Sequence, residues 1–420
     1  MSLFTGDDLK VFAAANNEFA VGLYHELRGA SGDLFFSPYN IRSALIPAYA
    51  GARGRTAARM AEALRLPESV PALLRACRDF ESELASRAKA GAVEIDRAAA
   101  LWRQKGLPLL PSYLELVRDA LDSEVFEADF AAAPAEAARI LNDWVEAKTR
   151  GMIRGIFSPK DFDRLTRLVL AAAIFFRGRW ALPFSVLDTR PAPFSLDGSG
   201  ETVDVPLMRR EAEFKYAGLE GFRALEMAYV GQQLSMAVLL PDARDGLADL
   251  EKKLSAPELA KWSGALREQS VKVELPRFEL AGSFRLEKAL GGMGMSEAFE
   301  PRTADLSGMT TEKPLGIGSV LHQAKVEVDE QGTRAAAATE SFLCLGLAEP
   351  RPPIFRADHP FLFMIRDFPT GAILFMGRVT RPEWTGPRRD AEAPRPGSFE
   401  RPPTGSRRFL GRLLKALGFQ

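Results

Sequence analysis

The chain has 420 residues, 46% hydrophobic and 26% charged, with a formal net charge of zero. That balance fits a soluble globular protein of one large domain or two to three average ones, and it argues against a generally basic nucleic-acid binder. Only two cysteines occur, Cys77 and Cys344, so a disulfide framework is excluded and a reducing, cytoplasmic compartment is expected. The N-terminus lacks a basic start followed by an apolar core, so no signal peptide is expected, although unconventional export stays open. No stretch of about 18 uncharged apolar residues exists to cross a membrane. His25, His322 and His359 lack metal spacing, and there is no C-x-x-C, no nucleophile elbow and no phosphate-binding loop. No metal, cofactor or catalytic residue is therefore expected. Gly316 and Gly318 lack the third glycine of a dinucleotide fingerprint and read as a turn.

In chain order, Leu9, Phe12, Phe19, Leu23 and Leu27 recur at near-helical spacing and predict an amphipathic helix over 7–28. Leu34 to Phe36 is a short apolar strand, and Ser37-Pro38 starts the next helix, serine as cap and proline in the first turn. Residues 70–90 are helical, with Arg75, Arg78, Arg87 and Lys89 interleaved with Asp79, Glu81 and Glu83. These mixed signs describe a solvated face better than a basic, polyanion-binding one. Residues 92–103 form a strand. The run from Leu165 to Phe184 is apolar enough for a strand buried in a central sheet. Residues 201–240 alternate as hairpin strands. Residues 271–284 read as strand, Leu-Pro, strand, with a short helix around 286–290, and 359–382 as two apolar strands around a turn from Asp367 to Gly371.

One stretch organises the rest: LHQAKVEVDEQGTRAAAATESFLCLGL, residues 321–347. Its first part alternates and predicts a strand ending at Glu330. Gly332, without a Cβ, is free to bend or straighten. Thr333, Arg334, Ala335, Ala336, Ala337, Ala338 and Thr339 follow, then an apolar tip, and Pro350, Pro352 and Pro353 close the segment. An alanine run alone would be an ordinary helix. With a strand before it and a glycine at the junction, the same run suits a loop that re-enters a sheet, because small side chains pass between strands with least conflict. Thr333, Ala335, Ala337 and Thr339 would then point inward, and Arg334 and Glu340 outward.

On the string Glu330-Gln-Gly332-Thr333-Arg-Ala-Ala-Ala-Ala-Thr339 the chain resembles the serpins, serine protease inhibitors whose reactive loop inserts into a β-sheet. FFSP before an alanine-rich helix resembles that family's helix B, and 141–159 its helix F and following turn. Residues 165–184 resemble its strand with a basic-Gly-x-Trp turn, and LPRF, ADLSG and 359–382 match further elements. The resemblance covers about residues 7–382. It implies an α+β serpin fold, three β-sheets with about nine helices and an exposed reactive-centre loop at about 331–353.

What the resemblance implies for single residues is specific. Ser37, Asn40 and His322 fall in the shutter, where the sheet parts, and Trp180, Arg277 and Glu330 in the breach, where the loop enters. The family usually has asparagine where this chain has Ala172, so His322 and Ser37 must be satisfied without it. Arg277 is expected to pair with Glu330 at the top of the sheet, an exposed pair contributing at most about 1 kcal/mol. The hinge comprises Glu330, Gly332, Thr333, Ala335 to Ala338 and Thr339. The family's spacing of about fifteen residues from the hinge glycine places the reactive bond between Gly346 and Leu347, or after Leu345 if the loop is one residue shorter. Leu345 suits a chymotrypsin-, elastase- or subtilisin-like serine protease, and cut after Gly346 it suits a papain-like cysteine protease. Cys344 beside the site reads as a small apolar filler, with a redox handle as the alternative. The expected partner is a target protease, held by a monomeric inhibitor as a covalent complex.

Residues 383–406, rich in Pro, Gly and Arg, read as a linker. In 407–420, Phe409, Leu410, Leu413, Leu414 and Leu417 share a helical face opposite Arg407, Arg408, Arg412 and Lys415, which suits an anionic membrane surface or a partner groove. The competing class is therefore a non-inhibitory serpin-fold binding protein that works through this tail.

Overall fold

The computed structural model describes residues 6–66, 70–90, 93–121, 125–196, 200–331 and 351–385, all within one compact unit that ends at Thr385. The hinge residues Gly332, Thr333, Ala335 to Ala338 and Thr339, the bond residues Leu345, Gly346 and Leu347, Cys344, and the tail from 386 onward lie outside the described residues.

Helix α1 (Gly6–Leu27) is followed by strand β1 (Leu34–Phe36) and helix α2 (Pro38–Gly51). The turn into α2 is capped as the sequence predicts: the Asn40 N–H donates to Ser37 Oγ at 3.1 Å, and Pro38 occupies the first turn. Then come α3 (Gly54–Leu64), α4 (Val70–Ala90), β2 (Glu94–Gln104), α5 (Pro111–Leu121), β3 (Val125–Ala128), α6 (Pro134–Lys148) and β4 (Leu168–Arg177). The segment 141–159, expected as helix F and its following turn, holds the second half of α6 and the turn after it. The helix begins at Pro134, where proline sits in the first turn, and ends at Lys148, and the following Arg150 and Gly151 have positive φ. The next part of the chain is β5 (Arg190–Ser195), β6 (Thr202–Leu219), β7 (Phe222–Ala228), β8 (Leu234–Pro241), α7 (Leu247–Lys253), α8 (Ala256–Ala265), β9 (Arg267–Pro276) and β10 (Phe278–Arg285). Short helices α9 (Glu287–Leu290) and α10 (Ser296–Phe299) lead to β11 (Ser319–Val328), β12 (Ile354–Arg356), β13 (Phe361–Asp367) and β14 (Ile373–Val379).

Among the described residues these strands form two hydrogen-bonded networks. One has nine strands, β1-β14-β13-β8-β7-β6-β9-β12 with β5 also on β6. Because β6 runs for 18 residues, it bonds β5, β9 and β7 along successive parts of its length and so joins what would otherwise be separate sheets. The other has five strands in the order β10-β11-β4-β2-β3.

The central strand β4 is apolar throughout because both of its faces are covered. Leu168, Leu170, Ile174 and Phe176 enter the main core against the nine-stranded network, where Phe35 stacks on Phe363 and Phe375 at 5.7 and 5.5 Å. Val169, Ala171, Ala173 and Phe175 face a second cluster containing Leu141 and Val145 of α6. The alanine triplets of β2 and β4 pair with one another, Ala98↔Ala173 to Ala100↔Ala171, so the middle of the sheet carries little side-chain bulk beneath α6.

Candidate functional site

Strand direction singles out the β4–β11 seam of the five-stranded sheet as its candidate parting line. β4 pairs with β11 in parallel from Val169↔Ser319 to Phe176↔Val326, whereas β10 and β2, on their outer sides, pair with them antiparallel. Two parallel neighbours leave room in topology for one more strand between them, antiparallel to both. The chain leaving β11 starts at the end of the sheet from which such a strand would run.

That exit is held from several directions. β11 ends at Val328 rather than at the expected Glu330, since Asp329, Glu330 and Gln331 turn away into other bonds. The Trp180 indole N–H donates to the Asp329 carbonyl at 2.9 Å, the Trp180 backbone N–H to Gln331 at 3.1 Å, and the Phe184 N–H to Glu330 at 2.8 Å. Trp180 is itself fixed by stacking on Tyr229, ring centroids 4.6 Å apart. The glycine of the basic-Gly-x-Trp turn has a steric reason: a Cβ on Gly178 would come within 2.8 Å of the Tyr229 ring. The expected ion pair is present, with Arg277 Nε donating to Glu330 Oε1 at 2.6 Å, Arg277 Nη2 on the same oxygen, and the Thr189 hydroxyl donating to it as well. It is not exposed. The side chains of Arg277 and Glu330 are 10% and 4% accessible, because Pro206, Thr189 and Trp384 close around them. Removing one partner of such a pair strands a buried charge, a far larger cost than the surface estimate allows.

Midway down the parting line lies the second cluster. His322 faces Ala172 across it, with no solvent exposure. The Ser37 backbone N–H can only donate, so His322 Nε2, at 3.0 Å, accepts. Nδ1 therefore carries the proton and donates to the Ala172 carbonyl at 2.9 Å. Burial holds the imidazole neutral, its pKa pushed down from 6.5 to about 3, partly opposed by the bond to Ala172. Ser37 Oγ donates to the Leu374 carbonyl at 2.6 Å. An alanine at 172 is thus compatible with a satisfied His322, because main-chain atoms replace the missing amide. Asn40 is different. Its side chain is fully buried, and neither amide atom has a hydrogen-bond partner among the described residues.

Two features escaped the sequence reading. A row of charges crosses the outer face of the sheet: Arg177 bonds Glu327 across the parting line at 2.7 Å, and Lys325 bonds Glu327 and Glu279 at 3.3 and 2.8 Å. Local spacing could not announce this row, since its members are up to 150 positions apart. Also, the packed domain continues to Thr385, beyond the boundary at 382 expected from composition. The Glu279 N–H donates to the Glu383 carbonyl at 2.8 Å, and the Thr385 hydroxyl to Glu279 Oε2 at 2.7 Å. Among the described residues no group of His, Cys, Asp and Glu is arranged to hold a metal ion, and no helix is long and apolar enough to cross a membrane.

Comparison with known proteins agrees with this geometry. The sequence matches the family model described as Serpin (serine protease inhibitor) over residues 14–382. An uncharacterized serpin-like protein of Thermococcus kodakarensis is 41% identical, over 88% of this chain and 85% of its own. The leukocyte elastase inhibitor of Bos taurus is 37% identical, over 89% of this chain and all of its own length. The crystal structure of uncleaved ovalbumin superposes with a TM-score of 0.79 at 30% identity, covering 88% of this chain and 99% of that one. The chain belongs to the serpin family.

Proposed function

We propose that this protein inhibits a protease by acting as its suicide substrate. The protease attacks the loop near Leu345, Gly346 and Leu347 and forms an acyl bond to the new C-terminus. The freed hinge from Gly332 to Thr339 then enters between β4 and β11 and carries the enzyme along before the acyl bond is hydrolysed. The observation that carries the reading is the direct parallel pairing of β4 with β11 next to a segment of small side chains.

The energetics favour that direction. Insertion breaks one parallel ladder and builds two antiparallel ones, and antiparallel pairing is somewhat more stable per residue. The new strand also satisfies its own backbone groups, each bond worth about 1 kcal/mol net. Against this stand the bonds on Glu330 and Trp180 that close the entrance and those of His322 midway along the seam, so the uncleaved form is kinetically trapped. Inward positions Thr333, Ala335, Ala337 and Thr339 meet the apolar interior without a bulky or charged group. Leu345 favours a chymotrypsin-, elastase- or subtilisin-like serine protease, or a papain-like cysteine protease that reads it as the residue before Gly346. The relative named for elastase inhibition supports the first group.

The reading is tested by cutting the loop with a protease in trace amounts and following thermal unfolding of the product. A large rise in Tm is expected. A cut product that unfolds at the temperature of the intact chain would show that the loop does not insert.

A further inference from the structure

The segment after β14 closes over the entrance of the sheet, and nothing in the reading above uses it. It is anchored at one end by Asp33, whose Oδ1 accepts from the Thr380 N–H and hydroxyl at 2.6 and 2.9 Å and from the Arg381 N–H at 3.1 Å. It then reaches β10, where the Glu383 carbonyl and the Thr385 hydroxyl bind Glu279. Between these, the Trp384 ring lies against the Arg277 guanidinium, 6.0 Å from its carbon to the ring centroid. Arg277 is the cation that grips Glu330 on one side of the parting line, while Thr189, beyond the end of β4, grips the same carboxylate from the other. Glu279 is likewise the last member of the charge row that crosses the parting line through Lys325, Glu327 and Arg177.

We propose that residues 380–385 are a strap that fixes Arg277 and Glu279 in the closed arrangement and so sets the rate at which β4 and β11 part. This rests on the insertion reading and adds to it a residue with no other task there, Trp384. Its aromatic face attracts the guanidinium and shields the ion pair beneath. For the hinge to enter, the turn at Asp329 to Gln331 must be released from both sides, and Arg277 must let go or move with it. A strap tied to Asp33 resists that movement.

The test uses the intact, uncleaved protein and a fluorescent peptide with the sequence of residues 333–343, which occupies the parting line without any protease. The rate of peptide uptake is measured for the full chain, for Trp384→Ala and Trp384→Phe, and for chains ending at Thr385 and at Pro382. Trp384→Ala is expected to take up peptide about two- to five-fold faster, the factor that loss of one partly exposed cation–π contact gives. Trp384→Phe, which restores an aromatic face, returns the rate towards that of the full chain. The chain ending at Thr385 keeps the slow rate and the one ending at Pro382 does not. Equal uptake by the full chain, Trp384→Ala and the chain ending at Pro382 would overturn the strap, as would equal acceleration by the two shortened chains. Failure of every chain to accept peptide would instead overturn the insertion reading on which the strap depends.

Discussion

His322 offers the sharpest quantitative prediction, because both of its ring nitrogens are spoken for. Burial lowers its pKa from 6.5 to about 3, and a proton on Nε2 would in addition face the Ser37 N–H in a site closed to water. In the unfolded chain the ring titrates near its ordinary value. The folded state thus holds a neutral imidazole over a range in which the unfolded state binds a proton. Its contribution to stability is complete above pH 6.5 and is lost progressively as pH falls from there towards 3. At about pH 5 the loss from this one group is roughly 2 kcal/mol, at about 1.4 kcal/mol for each pH unit below the unfolded value. The assay is urea unfolding of the uncleaved protein at about pH 7.5 and about pH 5, for the wild type and for His322→Gln. The variant is less stable at the higher pH, having lost at least one buried hydrogen bond worth about 1 kcal/mol or more. On acidification the wild type should lose roughly 2 kcal/mol more than the variant, so the gap closes or reverses. Equal losses in the two proteins would refute the assignment of His322 as a buried neutral acceptor.

Three further outcomes are expected. Ala337→Glu puts a carboxylate where the inserted hinge meets the interior, at a cost of several kcal/mol unless it is paired; the protein should still be cleaved in its loop but form no covalent complex on a denaturing gel. Arg277→Leu leaves the Glu330 carboxylate buried with only hydroxyl and main-chain neighbours, and should lower the unfolding free energy of the intact form by roughly 3–5 kcal/mol, whereas a change within about 1 kcal/mol would mean that the pair is effectively at the surface. Flotation with anionic vesicles, comparing the full chain with one lacking residues 400–420, should show salt-sensitive binding of the full chain only if the basic face of 407–420 works at a membrane; equal flotation removes that role.

Much of this architecture was legible in the residues because it is encoded locally. Ser37-Pro38 announces a capped helix start, the run through Leu168 to Phe176 a strand covered on both faces, and the alternation before Glu330 a strand pointing at the loop. What stayed hidden depends on partners distant in sequence. Nothing around Arg277 signals that Pro206, Thr189 and Trp384 will enclose it, so its pair with Glu330 reads as exposed when it is buried. Trp384 stands in a Pro- and Arg-rich context whose composition suits a linker, yet one indole and one carbonyl suffice to seat it on β10. His322 could not be satisfied on paper, since its acceptor is the main chain of Ala172, an atom that every residue type carries. Helices α3 and α5, each of 11 residues, lack a side-chain cap or a long apolar run to announce them in the sequence.

In the proposed mechanism, cleavage and insertion trap the protease. This is tested most directly by mixing the intact protein with chymotrypsin-, elastase-, subtilisin- and papain-like proteases and resolving the products on a denaturing gel, with mass spectrometry of the released C-terminal fragment. For at least one protease, a band should survive denaturant at the summed mass of enzyme and cleaved inhibitor, with a fragment beginning at Gly346 or Leu347. Efficient cleavage at that bond by every protease, with no such band and no gain in thermal stability, would contradict the mechanism.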